Sequence, residues 1–178
     1  MLKDNTSIGT ENYRSQIGEL PLANFHPESP VWIYLASRPL SETEANDINR
    51  ASSQFIRQWV SHGDTVFGYG GLLFNRFLVL SANAAIISPS GCSMDSSVKF
   101  VQEVDNRYSL DLFDRLKIGF IDREGEIDTL PLSALKSAME QDTIGDESPI
   151  FDNTVNKVEP FREQWIKPLG DSWVKNFI

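Results

Sequence analysis

The chain has 178 residues, 40% of them hydrophobic, with eleven Phe and four Trp, enough to bury one sizeable core. Its net charge of −9 argues against general nucleic-acid binding, which draws on Lys and Arg neutralising phosphates. A single cysteine excludes an internal disulfide and a Cys-rich zinc site, and no apolar run is long enough to span a bilayer.

Residues 1–30 carry Asn, Thr, Ser, Gly and Pro with little periodicity and read as an irregular N-terminal arm. They lack the apolar stretch of a secretory signal, so a reduced, cytoplasmic setting is expected, with no membrane association. Residues 31–178 read as a single α+β domain. "VWIYLA" (31–36) is β-branched and aromatic, as a strand should be. Ser41 and Glu44 form an S-x-x-E capping box, and Ala45, Ile48, Ser52, Phe55, Ile56, Trp59 and Val60 then recur at helical spacing. Gly63 stands where a left-handed C-cap is wanted, which would leave His62 closing the helix, its charged form favoured by the dipole.

"TVFGYGGLLF" and "FLVLSA" are two apolar runs joined at Asn75-Arg76, a hairpin pattern. Their glycines do not make a phosphate loop, because strand residues continue and no Gly-Lys-Ser/Thr follows; they mark a bulge or a close backbone approach. Met94, Val98, Val101, Val104 and Tyr108 step along a second helix. "KIGFID" and "EIDTL" flank Arg123-Glu124-Gly125 as another hairpin, "PLSALKSAMEQ" is helical, and "DTIGDESP" is a turn-rich loop. Val155, Val158, Phe161 and Trp165 predict a last helix that Pro168 stops.

The order strand, helix, strand, strand, helix, strand predicts a ferredoxin-like α/β sandwich. Its antiparallel sheet would carry helices on one face and be extended by a C-terminal hairpin and helices. The acidic surplus is local: residues 121–152 hold nine acids and two bases. This segment solvates an edge or recruits a protein partner. "GDSWVKNF" is apolar for a terminus and points to docking on the body or to a homodimer.

"SPSGCSMDSSVKF" (88–100) is the densest candidate site. Gly91 allows a positive φ, Ser90 and Ser93 can accept amides at a helix start, and Asp95 is placed in the first turn. Cys92 there is a capped packing residue, part of an anion pocket, or a thiol activated by the helix dipole. A nucleophilic cysteine wants a base, and His62 and His26 are the only histidines. The catalytic candidates are therefore Cys92, His62 and Asp95. Ser90, Gly91, Ser93, Arg76 and Arg115 are the ligand-binding candidates, Arg76 at a hairpin tip and Arg115 within "DLFDRL" (111–116). No His or carboxylate spacing gives a metal site, and no cofactor is implied. Three roles stay open: a non-catalytic binding or protein-interaction module, a small enzyme or redox sensor centred on Cys92, and nucleotide or RNA binding on the sheet through Tyr34, Phe67 or Tyr69. The RNA-recognition strand motif is absent.

Taken together, "VWIY", "SRPL", "FIRQWVSHG", "NRFLVL", "SGCSMDSSVKFVQE", "DLFDRL" and the closing "SW" and Phe177 resemble a family of small bacterial proteins sometimes labelled ABC transporter ATPases. The similarity spans roughly residues 31–177 and is densest over 90–98. It implies a shared fold and a soluble cytoplasmic life, and supplies no activity and no catalytic residues. The ATPase label has no support in these residues: there is no G-x-x-x-x-G-K-[ST] motif, and "SGCSMDSS" is not an LSGGQ-type signature.

Overall fold

A computed structural model describes residues 5–178, which form two compact units. The first comprises Pro21–Asp114 and Asn156–Glu159; the second comprises residues 5–20, Arg115–Val155 and Pro160–Ile178. The chain opens with a helix of the second unit, α1 (Asn5–Gly18).

The first unit holds β1 (Val31–Leu35), α2 (Glu42–Gln58), the short strands β2 (Val60–Ser61) and β3 (Asp64–Thr65), β4 (Gly68–Leu73), β5 (Phe77–Ala82) and α3 (Gly91–Tyr108). Its main sheet is antiparallel in the order β1-β5-β4. The register Trp32↔Leu80 and Tyr34↔Leu78 puts these side chains on one face, where they pack with Ile48, Phe55, Phe100, Val101 and Val104 from the two helices. Period-2 alternation on the strands and a 3.6-residue stripe on the helices thus meet in one core.

The capping box forms as expected: the Ser41 hydroxyl accepts the Glu44 amide at 3.3 Å and the Glu44 carboxylate accepts the Ser41 amide at 2.9 Å. Arg38 donates to both Glu44 oxygens (3.0 and 2.8 Å) and to the Tyr108 carbonyl (3.0 Å). Those two partners, Arg38 first, hold the Glu44 carboxyl down to about 2.

α2 ends earlier than its spacing predicts. Trp59 is its C-cap, in extended conformation, and the chain turns directly into β2. His62 (φ 53°) and Gly63 (φ 88°) are the two central residues of a tight hairpin with Ser61 opposite Asp64. Two successive positive φ angles match the twist of a two-residue hairpin, and this is what Gly63 serves. The glycines of β4 serve close approach. A Cβ on Gly68 would lie 3.1 Å from the Trp59 ring, and one on Gly70 would lie 3.0 Å from Ile56 Cγ1. Glycine there lets α2 settle onto the sheet.

The second unit contains β6 (Lys117–Ile121), β7 (Ile127–Pro131), α4 (Leu135–Glu140), β8 (Pro149–Phe151), the end of α5 (Val158–Gln164) and β9 (Ile166–Pro168). Its sheet is antiparallel in the order β7-β6-β8-β9 and its core gathers Ile118, Phe120, Leu130, Leu135, Ile144, Ile150, Leu169 and Val174. Within the terminal segment Val174 is fully buried, while Phe177 and Ile178 stay exposed.

The segment read as an irregular arm is helical from Asn5 to Gly18. Its composition is poor for a helix, and contacts within its unit supply the difference. Thr6 donates to the Asp122 carbonyl (2.8 Å), Tyr13 to the Gly125 carbonyl (3.3 Å) and Arg14 to the Ile166 carbonyl (3.0 Å). The α+β class with antiparallel sheets and packed helices holds. The run β1-α2-β4-β5-α3 follows the expected order, and the next strand, β6, takes its place between β7 and β8 in the four-stranded sheet.

Candidate functional site

The start of α3 is a side-chain cap built by Ser90. The Ser90 hydroxyl accepts the Ser93 amide (3.2 Å), as expected. Ser93 does the reverse of what was expected: its hydroxyl donates to the Ser90 carbonyl (2.8 Å) and the residue is completely buried. The Ser61 hydroxyl links β2 to this turn by accepting the Ser90 amide (3.0 Å) and donating to the Ser88 carbonyl (3.2 Å). The Trp59 indole N–H donates to the Ser93 carbonyl at 2.8 Å. Gly91 is the first helical residue and is not among the positive-φ glycines, so its freedom is unused. The Ser93 hydroxyl thus spends its proton on a local carbonyl, while the Ser90 hydroxyl is shown accepting only and keeps its own O–H as a donor.

Cys92 is exposed and free. Asp95 is exposed and lies beyond the first turn of α3, so the dipole argument does not reach it. His62 sits at the tip of the β2–β3 hairpin, not at a helix end. Arg76 ends the Phe74–Arg76 connection and is buried at 4% exposure, so it is no surface anion contact. Arg115 is exposed and belongs to the second unit. Of the eight candidates, Ser90, Gly91, Cys92 and Ser93 are brought together in one turn, Asp95 follows them on the same helix, and His62 is next in sequence to Ser61, which bonds that turn. Within "DLFDRL", Asp111 adopts a positive φ of 52° in the turn after α3. The carboxylate that organises this turn is Asp105, whose Oδ1 accepts the amides of Leu110 and Leu112 (both 3.1 Å).

The aromatic residues considered for base stacking do not share a platform. Tyr34 lies in the helix-covered core at 3% exposure. Tyr69 pairs with Ser81 and so points to the opposite face of the sheet. Burial pushes its hydroxyl up to about 12. Phe67 is 55% exposed and packs its ring 5.8 Å from that of Phe25.

The concave feature with the best chemistry is one the sequence reading did not single out. It is a groove of about 370 Å³ between α2 and α3, lined by Ala51, Gln54, Phe55 and Gln58 on one side and by Ser96, Lys99, Phe100 and Glu103 on the other. A smaller hollow of about 130 Å³ continues it past Ala51 and Glu103 to Asp47 and Arg107. Gln58 faces Ser96 at one end and Asp47 faces Arg107 at the other, so the two helices run antiparallel. Phe55 and Phe100 stack on the floor, with centroids 4.7 Å apart and planes 8° from parallel. Ala51 gives the groove its depth. Its rim carries Asp47, Lys99, Glu103 and Arg107, both signs together.

No family model, curated protein or solved structure matches the chain. Among the described residues no group of three or more His, Cys, Asp or Glu side chains is placed to hold a metal ion. No helix among them is long and apolar enough to cross a membrane.

Proposed function

We propose that the protein is a non-catalytic protein-interaction module that works as a homodimer, with the outer face of α2 and α3 as its contact surface. The observation that carries this reading is the groove: a stacked aromatic floor between rims bearing both charge signs. Such a surface suits the side chains and charges of another protein face, and apolar floor area supplies affinity while the rim supplies orientation. It is the same division of labour seen wherever an anchor side chain enters a pocket edged by polar groups. On this reading the likeness to a bacterial family without shared catalytic residues is a likeness of scaffold.

The test is light scattering of the purified full chain over a concentration series, for the wild type and for Ala51→Phe, which fills the groove. Concentration-dependent dimers that Ala51→Phe weakens support the reading, with circular dichroism checking that the variant folds. A wild type that stays monomeric at every concentration contradicts it. So does turnover of any substrate that disappears in Cys92→Ala.

A redox or nucleophilic role for Cys92 is the second reading, and exposure of its sulfur is the observation that favours it. On this reading a Cys92 reaction would take its assistance from the helix dipole, with His62 or Asp95 assisting.

A further inference from the structure

We propose that α3 carries a self-recognition ridge: two copies pair α3 against α3, antiparallel about a two-fold axis at the level of Val101, so that Asp95 of each meets Arg107 of the other and Lys99 meets Glu103. This rests on the homodimer reading above and adds the register and the charges that fix it.

Asp95, Lys99, Glu103 and Arg107 are spaced four apart on one helix and all four are exposed. Positions i, i+4, i+8 and i+12 form one continuous ridge on a helix surface, and such ridges are the elements that interdigitate when helices pack. The signs along it run minus, plus, minus, plus. Read in reverse they run plus, minus, plus, minus. A two-fold axis imposes that reversal, because in an isologous contact residue i of one copy meets j of the other and j meets i. About Val101 every one of the four charges then faces its opposite. A shift by one step of four residues sets like charges against each other, so the pattern specifies register as well as pairing.

The four charges form no ion pair with one another along the helix, and none of them sits in any other among the described residues. Asp95–Lys99 and Glu103–Arg107 run in the favourable direction for pairs four apart in a helix and Lys99–Glu103 in the less favourable one, yet none of the three closes. Arg107 lies over its neighbour's ring instead, 5.2 Å from the Tyr108 centroid. Lys99, Glu103 and Arg107 also line the groove, so the ridge and the stacked Phe55–Phe100 floor belong to one face. Exposed pairs of this kind give a modest, salt-sensitive association whose specificity exceeds its strength.

The experiment is a charge swap read by light scattering at low salt, using Lys99→Glu, Glu103→Lys, their equimolar mixture and the double variant. Lys99→Glu sets Glu against Glu twice in a self-dimer, and Glu103→Lys sets Lys against Lys. Each single variant should therefore be monomeric where the wild type is dimeric. Mixed together they present four opposite pairs again and should form a heterodimer; the double variant should recover the homodimer. High salt should narrow the difference between matched and mismatched pairings, because it screens the charges and leaves the apolar floor. Circular dichroism verifies that the surface variants fold. Single variants that dimerise as the wild type does, or a mixture that stays monomeric, overturn the ridge. A dimer indifferent to the swaps leaves the homodimer reading standing and removes only its register; a wild type monomeric throughout removes both.

Discussion

Replacing Gly9 by alanine in α1 sets two physical effects against each other. Alanine is better than glycine inside a helix by about 1 kcal/mol, so propensity alone predicts stabilisation. Packing predicts the reverse. A Cβ on Gly9 would lie 2.5 Å from the Gly125 carbonyl oxygen and 2.8 Å from its Cα. These are backbone atoms of the β6–β7 turn, where Gly125 holds a φ of +85° and Asp122 Oδ1 already fixes the amides of Glu124 and Glu126. Neither side can rotate away, so α1 must lift from the turn. Overpacking of this kind costs about 1–3 kcal/mol. Lifting also strains the hydrogen bonds from Thr6 and Tyr13 to this turn, each worth about 1 kcal/mol. After the propensity gain the net expectation is a loss of about 2 kcal/mol, or roughly 4–8 °C in Tm for a chain of this size. Gly18→Ala is the control, since nothing lies within 4 Å of its Cβ position, and it should be neutral or slightly stabilising. Thermal melts by circular dichroism give the magnitude, and hydrogen exchange over 117–131 gives the location. A Gly9→Ala protein as stable as the wild type, with unchanged exchange in that hairpin, would refute the reasoning.

Trp59→Phe removes the indole N–H bonded to the Ser93 carbonyl and shrinks a fully buried ring; a loss of about 2–4 kcal/mol in urea unfolding is expected. Asp105→Ala leaves the amides of Leu110 and Leu112 without their shared acceptor, and should cost about 2 kcal/mol and speed exchange at those two amides. The Glu44 carboxyl is depressed to about 2 in the folded protein, against roughly 4.3 when unfolded. Its contribution is therefore complete above the unfolded value and is lost as pH falls from there through about 2. The Tm difference between wild type and Glu44→Gln should narrow across that window, and a constant difference would count against the capping network. Cys92, being exposed, should be alkylated in the native protein about as fast as in the unfolded one; strong acceleration on unfolding would mean the sulfur is covered.

The elements legible in the sequence are those whose own residues carry the signal. The Ser41–Glu44 box, the apolar stripe of α2 and the hairpin around Gly125 are local patterns, and the structure keeps them. The close-approach reading of the β4 glycines also holds, because Trp59 and Ile56 fill the space that side chains would need. Where the reading failed, long-range contacts decide. α1 draws its order from Asp122, Gly125 and Ile166, more than a hundred residues away. β8 and β9 are three residues each, too short to show alternation, and exist through their pairing with β6 and with each other. Met94 and Val98 step along α3 with Val101, Val104 and Tyr108, but Ser93 and Ser97 take the buried positions of the first turns and leave Met94 and Val98 exposed. Both serines satisfy their hydroxyls on the preceding turn, which makes them small enough and dry enough for that contact. The site was legible only as a cap. The groove could not be read from α2 or α3 singly, since it exists only where the two helices lie side by side. The signal that was available, charges alternating in steps of four from Asp95 to Arg107, was passed over because each charge by itself reads as solvated surface.

The most direct measurement of the central claim uses Cys92, the chain's sole cysteine and an exposed one. A nitroxide placed there in otherwise wild-type protein reports only distances between copies. Cys92 lies nine residues from Val101, so antiparallel pairing about that level separates the two Cys92 Cα atoms by about 27 Å along the helices. With axes about 9 Å apart the separation becomes about 28 Å. Pulsed dipolar spectroscopy at low salt should therefore give one narrow distance distribution near 30 Å. Absence of dipolar coupling at every concentration, or a narrow distribution far from that value, would contradict the account.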